Sequence, residues 1–166
     1  GQLLVGNSAE SQSLKFGIST SGNLVSRELV SLPFRSNAQN QYVYNAAGDY
    51  IASFSENRLY STLSFTVQES FEEPYYPTGI SRNGELILGT NNDPAEFPTN
   101  TSSQQKKALI YELSSGQVTS LETEGYPHKL SENHLGQIIS ISSGFKRRGL
   151  GTTSPRADLF IEVVGD

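Results

Sequence analysis

Cysteine, methionine and tryptophan are all absent from this 166-residue chain, and only 17% of its residues are charged. The lack of cysteine rules out a disulfide framework and thiol catalysis, while fixing no redox compartment. Basic residues are scarce too: 12 Lys and Arg against 17 Asp and Glu leave a net charge of −5. With no basic surplus to neutralise phosphates, general nucleic-acid binding is disfavoured. No window approaches the roughly 18 apolar residues of a membrane span. The chain shows no signal peptide and no initiator methionine, so a processed chain, or an excerpt of something longer, is expected. Helical periodicity is missing as well, because Gly or Pro interrupts most stretches long enough to carry it.

What the chain does have is turn chemistry. It contains 15 glycines and 7 prolines, with abundant Ser, Thr and Asn, a mixture that suits many short strands joined by turns. The glycines recur in a pattern. Gly84-Glu85-Leu86-Ile87-Leu88 matches Gly136-Gln137-Ile138-Ile139-Ser140, Gly48-Asp49-Tyr50-Ile51-Ala52 and Gly1-Gln2-Leu3-Leu4-Val5: a glycine, a polar residue, then a short apolar strand. The spacings of 47, 36 and 52 residues lie in the range of propellers and solenoids. Gly84 is expected to hold a positive φ in a two-residue hairpin turn with Asn83.

A hairpin follows each such strand. Residues 14–29, "LKFGISTSGNLVSREL", parallel 108–123, "ALIYELSSGQVTSLET", with turns at Gly22 and Gly116, and "LFIEVVGD" (159–166) opens the same way. In the second repeat, residues 61–73 fill this slot without the glycine, and Leu63-Ser64-Phe65-Thr66-Val67 alternates as a strand should. Before each internal turn glycine stands a short inner strand: Tyr42-Val43-Tyr44, Thr78-Gly79-Ile80 and His128-Lys129-Leu130. Four antiparallel strands per repeat make a propeller blade, whose partly apolar faces need neighbouring blades to cover them. The fold class is therefore all-β, a set of propeller-like blades, with a β-sandwich or barrel as the alternative. The expected organisation is one β-repeat domain over 1–166, with repeats at about 1–40, 41–75, 76–125 and 126–166.

The stretch "GISRNGELILGTNND…KKALIYELSSGQVTSLETEG" resembles the repeat of TolB-type β-propellers and is similar to the blades of bacterial extracellular repeat proteins. In those repeats a serine-polar-polar-glycine turn precedes an apolar strand, and an I-Y-x-L-x-x-G hairpin follows. Residues 76–125 match best, 126–166 moderately, and 1–75 weakly. The usual Asp-Gly of the turn is Asn83-Gly84 here, Ala47-Gly48 and Leu135-Gly136 in the other copies. The resemblance, with the Ser/Thr/Asn-rich composition, implies a periplasmic or extracellular location. About three and a half blades are visible, so the leading expectation is a piece of a larger propeller. Closure of a ring by assembly with copies of itself or with another chain is the second.

Chemistry-bearing constellations are sparse. His128 and His134 lie on a strand and turn with no cysteine nearby, and read as structural or surface groups rather than a zinc pair. Glu72-Glu73, Asp93 with Glu96, and Glu122 with Glu124 read as solvated charges, since neighbours along a strand point to opposite faces. "TNNDPAEF" (90–97) lacks EF-hand spacing, and no G-x-S-x-G occurs. Lys146-Arg147-Arg148 reads as a loop tip, and Asn100-Thr101-Ser102 fits the N-glycosylation pattern.

Binding groups are more plausible than catalytic ones. The long insertion from Asn91 to Lys107 carries two prolines, Phe97 and a polar run, and reads as decoration or as a binding loop. Tyr75, Tyr76, Phe97, Asn91, Asn92 and Asp93 form the candidate binding set, with interblade packing as the first reading of the aromatics. Gly48, Gly84, Gly116 and Gly136 are structural turns. No cofactor, metal or catalytic residue is expected. The functional expectation is a non-enzymatic propeller module that presents loops to a protein partner. The alternatives are a carbohydrate-binding module and the propeller portion of a larger hydrolase.

Overall fold

The computed structural model describes residues 2–6, 12–31, 42–54, 56–72, 74–92, 104–144 and 159–165. Every regular element among them is a strand, and every pairing is antiparallel. Where one domain over 1–166 is expected, the chain divides into two compact units, Gly1–Asn40 and Gln41–Asp166.

The first unit is a three-stranded sheet of β1 (Gln2–Gly6), β2 (Gln12–Ile18) and β3 (Leu24–Ser31), in that order. Its β2–β3 turn closes through the Gly22 amide, which donates to the Ser19 carbonyl at 3.0 Å while Gly22 holds φ +83°. That conformation is open to glycine at little cost.

The second unit contains three sheets. The first runs β4 (Tyr42–Tyr44), β5 (Tyr50–Ser53), β6 (Arg58–Ser61), β7 (Val67–Ser70). The second runs β8 (Tyr76–Ile80), β9 (Leu86–Thr90), β10 (Lys107–Glu112), β11 (Val118–Glu122). The third runs β12 (Tyr126–Glu132), β13 (Ile138–Ser143), β14 (Leu159–Val163). Sequential strands are neighbours throughout, so each sheet is a meander of the kind that forms a propeller blade.

Alternation along the strands assigns residues to the two faces of each blade. Between the first and second sheets lie Ala52, Leu59, Phe71, Tyr75, Ile80 and Ile87, with Tyr50, Leu109, Tyr111 and Leu113 at the margin. Between the second and third lie Leu88, Ala108, Ile110, Leu130 and Val164. The core is thus two apolar layers between three blades. Each wholly buried Leu or Ile contributes about 1.5–3 kcal/mol relative to an exposed one.

Positive φ appears at Gly48 (+77°), Gly84 (+78°), Gly116 (+70°) and Gly136 (+81°). The Gly84 turn is longer than the two-residue hairpin expected: Gly84 donates to the Ser81 carbonyl at 3.0 Å, and Ser81 in turn donates to Leu86 at 2.9 Å. The Ser81 hydroxyl also accepts from the Leu86 amide at 2.9 Å. Asn45 and Asn133 fill the same position, their side-chain oxygens accepting from the amides of Asp49 and Tyr50, and of Leu135 and Gln137. A short polar side chain caps the turn locally, which lets four residues span it.

The alternation at Leu63–Val67 is not a strand. Those residues mostly form the β6–β7 turn, with β6 starting at Arg58 and β7 at Val67. Phe65 donates to the Ser61 carbonyl at 2.9 Å and Ser61 donates to Thr66 at 3.0 Å, as Gly116 does to Glu112 and Glu112 to Gln117. Phe65, at φ +54°, stands in the slot that glycine fills in the next sheet. Apolar–polar alternation over five residues carries no information about backbone handedness, and the Ser61 hydroxyl, accepting from Leu63 and Ser64, decides for a turn.

Candidate functional site

Registers fix which connections share an end of the second unit. Tyr42 pairs with Ser53, Tyr76 with Thr90, and Tyr126 with Ser143. The starts of the three inner strands therefore lie with the β5–β6, β9–β10 and β13–β14 connections. The capped turns at Gly48, Gly84 and Gly136 lie at the opposite end. This first end carries every candidate binding residue from Tyr75 to Asn92 among the described residues.

Local hydrogen bonding shapes that end. Asn92 is buried; its Nδ2 donates to the Gln105 carbonyl at 2.9 Å and to the Pro127 carbonyl at 3.1 Å, while its Oδ1 accepts from the Gln105 amide at 2.8 Å. One side chain ties both feet of the long insertion to the next inner strand. Asn57 does the equivalent one blade earlier. With its carboxamide nitrogen facing the acceptors, it donates to Phe54 at 3.0 Å and to Tyr75 at 3.2 Å. Asn91, also buried, keeps an Oδ1 that has no hydrogen-bond partner.

Tyr75 faces inward. Its ring stacks on Phe71 at 4.8 Å and meets Tyr111 edge-on at 6.3 Å, and its hydroxyl donates to the Ile87 carbonyl at 2.6 Å. Burial pushes its hydroxyl pKa well up. Gly89 permits this placement, because a Cβ there would lie 2.7 Å from the Tyr75 ring. Tyr75 thus packs between blades, where no incoming ring can reach its faces. Tyr76 is half-buried and tilts against Phe54 at 6.5 Å. Asp93 and Phe97 lie outside the described residues, as do Glu73, Glu96, Asn100 and Lys146–Arg148.

Two inner-strand features escape sequence reading. The register shifts at Thr78 in β8 and at His128 in β12, so both are bulged residues at the same position. The Thr78 hydroxyl accepts from the Leu130 amide at 3.1 Å, joining neighbouring inner strands, while His128 Nε2 lies 2.8 Å from the Ser143 hydroxyl. Lys106 holds its ammonium 5.6 Å from the centre of the Tyr126 ring, a cation–π distance. The only visible signal was the repeated Tyr-Pro before each bulge. Among the described residues no group of three or more His, Asp or Glu could hold a metal ion.

Among the described residues, this end presents the half-buried Tyr76 and Tyr126 rings and the exposed Lys106. Glu122 is paired with Lys107 at 3.5 Å on an exposed strand, an arrangement with little energetic weight.

No family model matches the sequence, and no curated protein matches it. Solved structures do resemble the fold. A structure described as Kuenenia stuttgartiensis hydrazine synthase aligns with TM-score 0.52 at 10% identity, over 95% of this chain and 42% of that one. The β-propeller domain of Myceliophteria thermophila Cps50 (Swd1) aligns with TM-score 0.45 at 15% identity, over 77% and 38%. TolB from Acinetobacter baumannii aligns with TM-score 0.48 at 16% identity, over 85% and 35%. The chain thus spans less than half the length of each of these. Its fold is all-β, with antiparallel sheets of up to four strands that resemble propeller blades.

Proposed function

We propose that this chain is a non-enzymatic β-propeller module that binds a protein partner through the connections gathered at the end where the inner strands begin. The observation that carries this reading is the Asn92 clip. It ties Asn92 and Gln105, on either side of residues 93–103, to each other and to Pro127 of the next inner strand. Connections held at their feet by a rigid scaffold are where binding residues concentrate. Tyr76 and Tyr126 lie at the same end and are of a residue type that anchors protein interfaces, with the Lys106 ammonium against the Tyr126 ring. Placement outside the cytoplasm belongs to the same reading, supported by the Ser/Thr/Asn-rich composition.

The test is capture from the natural host with wild-type protein, with a variant whose residues 93–103 are replaced by a Gly/Ser linker, and with Tyr126→Ala. The reading expects one protein partner retained by wild type and lost by both variants, with the blade fold unchanged by circular dichroism. Binding to a glycan array with no protein partner would instead establish the carbohydrate-binding alternative. Partner retention by both variants would place the interface elsewhere.

A further inference from the structure

Asn83-Gly84 is the one Asn-Gly pair in the chain, and the matching turns of the neighbouring sheets carry Ala47-Gly48 and Leu135-Gly136 instead. The pair has a chemistry of its own. The main-chain nitrogen after an asparagine can lose its proton and attack the side-chain Cγ, closing a five-membered succinimide as ammonia leaves. Water then opens the ring. The product is aspartate or isoaspartate, in which the main chain runs through the former side chain. Glycine in second place puts no side chain in the path of the attack and gives the backbone the freedom to make it. The Asn83 side chain is exposed, so water reaches it. The folded turn nevertheless holds the participants apart. The Gly84 amide keeps its proton on the Ser81 carbonyl at 3.0 Å. Asn83 Oδ1 accepts from the Ser81 hydroxyl at 2.7 Å and from the Glu85 amide at 3.1 Å, while its Nδ2 donates to Glu85 Oε2 at 2.5 Å. Attack needs the Gly84 nitrogen without its proton and the face of the carboxamide turned toward it, so these bonds have to open first.

We infer that Asn83 is a site of spontaneous deamidation gated by opening of the β8–β9 turn. While the turn is closed the residue stays asparagine; each opening gives it a chance to convert, and the conversion is not reversed on closing. The two products differ in what they do to the turn. Aspartate retains the oxygen that accepts from Ser81 and Glu85, but it sets a carboxylate oxygen where Nδ2 now meets Glu85, so two like charges face each other. Isoaspartate adds a methylene to the main chain ahead of Gly84, and the closure from Gly84 to Ser81 no longer fits. The turn has little room to absorb that: a Cβ on Gly84 would already lie 3.1 Å from Asn45 Nδ2 and 3.2 Å from the Tyr50 ring of the preceding sheet. Conversion therefore loosens the contact between the first and second sheets of Gln41–Asp166. The site lies at the end opposite the connections proposed above to bind a partner, and the inference does not rest on that reading.

The test incubates the native protein, and the same protein unfolded in guanidinium chloride, in one mildly alkaline buffer. Aspartate and isoaspartate are quantified at every asparagine by peptide mass mapping with fragmentation. Unfolded, Asn83 is expected to convert ahead of every other asparagine. Folded, its conversion should be slower by at least about tenfold, because it then waits on local opening. Ser81→Ala removes the hydroxyl that bonds Asn83 Oδ1 and the Leu86 amide. It should raise the folded rate severalfold, leave the unfolded rate unchanged, and speed hydrogen exchange at the Gly84 amide in parallel. Equal rates in the folded and unfolded wild-type chain, a comparison that needs no variant, would overturn the gating. An unfolded chain that converts faster at another asparagine would overturn the choice of site. Faster Gly84 exchange in Ser81→Ala with no change in conversion would also overturn the inference, by separating the reaction from the opening of the turn.

Discussion

The main chain at Gly79 passes so close to Leu130 of the neighbouring inner strand that a Cβ on it would sit 2.2 Å from the Leu130 carbonyl oxygen. The obstacle is backbone, which cannot swing aside, and the Thr78 hydroxyl fixes the separation by accepting from the Leu130 amide at 3.1 Å. Gly79→Ala is expected to push the two blades apart and destabilise the second unit by about 3 kcal/mol. Chemical denaturation with unchanged m-value checks it; a melt like that of wild type would mean the two strands can separate freely.

The turn at Gly84 carries two costs for any side chain. Its φ is +78°, and a Cβ would lie 3.1 Å from Asn45 Nδ2 and 3.2 Å from the Tyr50 ring. Gly84→Val is expected to lose more than about 1 kcal/mol. Gly116, with φ +70° and nothing nearer than the Tyr111 hydroxyl at 3.6 Å, shows the strain alone. Gly116→Val should therefore cost less, and urea melts of the pair rank the two effects.

Asn91 and Asn92 are adjacent, both buried, and differ in their bonding. Asn92→Ala removes the partner of the Gln105 amide and of the Gln105 carbonyl, while the Pro127 carbonyl keeps the Thr90 hydroxyl at 3.3 Å, with an expected loss of about 2–3 kcal/mol. Asn91→Ala removes an oxygen that has no partner and should cost clearly less. Equal losses at both positions would show that the clip at Asn92 adds nothing beyond side-chain volume.

Alkaline pH should weaken the second unit through its tyrosines. Burial first, and then the hydrogen bond its hydroxyl donates to Glu56 at 2.5 Å, push the Tyr60 pKa up to about 12 from 10.0. Between those values the unfolded chain releases the proton while the folded chain keeps it. The stability contribution is fully present below pH 10 and is lost as pH rises toward about 12. Thermal melts across that range should show a falling Tm, with a shallower fall in Tyr60→Phe. A slope identical in the two proteins would remove Tyr60 as a cause.

How much of this was legible in the sequence depends on which force set each feature. Gly48, Gly84, Gly116 and Gly136 announced their turns because positive φ selects glycine so strongly. The blade pattern followed, since strands between such turns must alternate. Phe65 hid the corresponding turn by using a residue that rarely takes that conformation. The bulges at Thr78 and His128 left only the Tyr-Pro before each as a trace, because a register shift is set by the pairing strand rather than by local preference. At the candidate site, the aromatics and amides were picked out by type alone. Tyr75 and Asn92 proved to be engaged internally, and only contact geometry separates a buried ring or amide from a presented one.

Pro77 and Pro127, the second residues of β8 and β12, lie wholly buried on strands hydrogen-bonded along one side only. A proline inside a ladder turns its nitrogen away from the paired neighbour. Any other residue would carry an amide proton there, and a buried donor left without an acceptor costs about 1–3 kcal/mol. Proline removes the donor itself. It also leaves the axial margin of each sheet with one fewer group able to recruit a foreign strand. The outer edge strands of the first and second sheets, β7 and β11, contain no proline and carry Glu69 and Glu122, charges of the kind that discourage edge pairing. The prolines of the repeated Tyr-Pro pair thus make the inner edges of the second and third sheets poorer templates for a foreign strand.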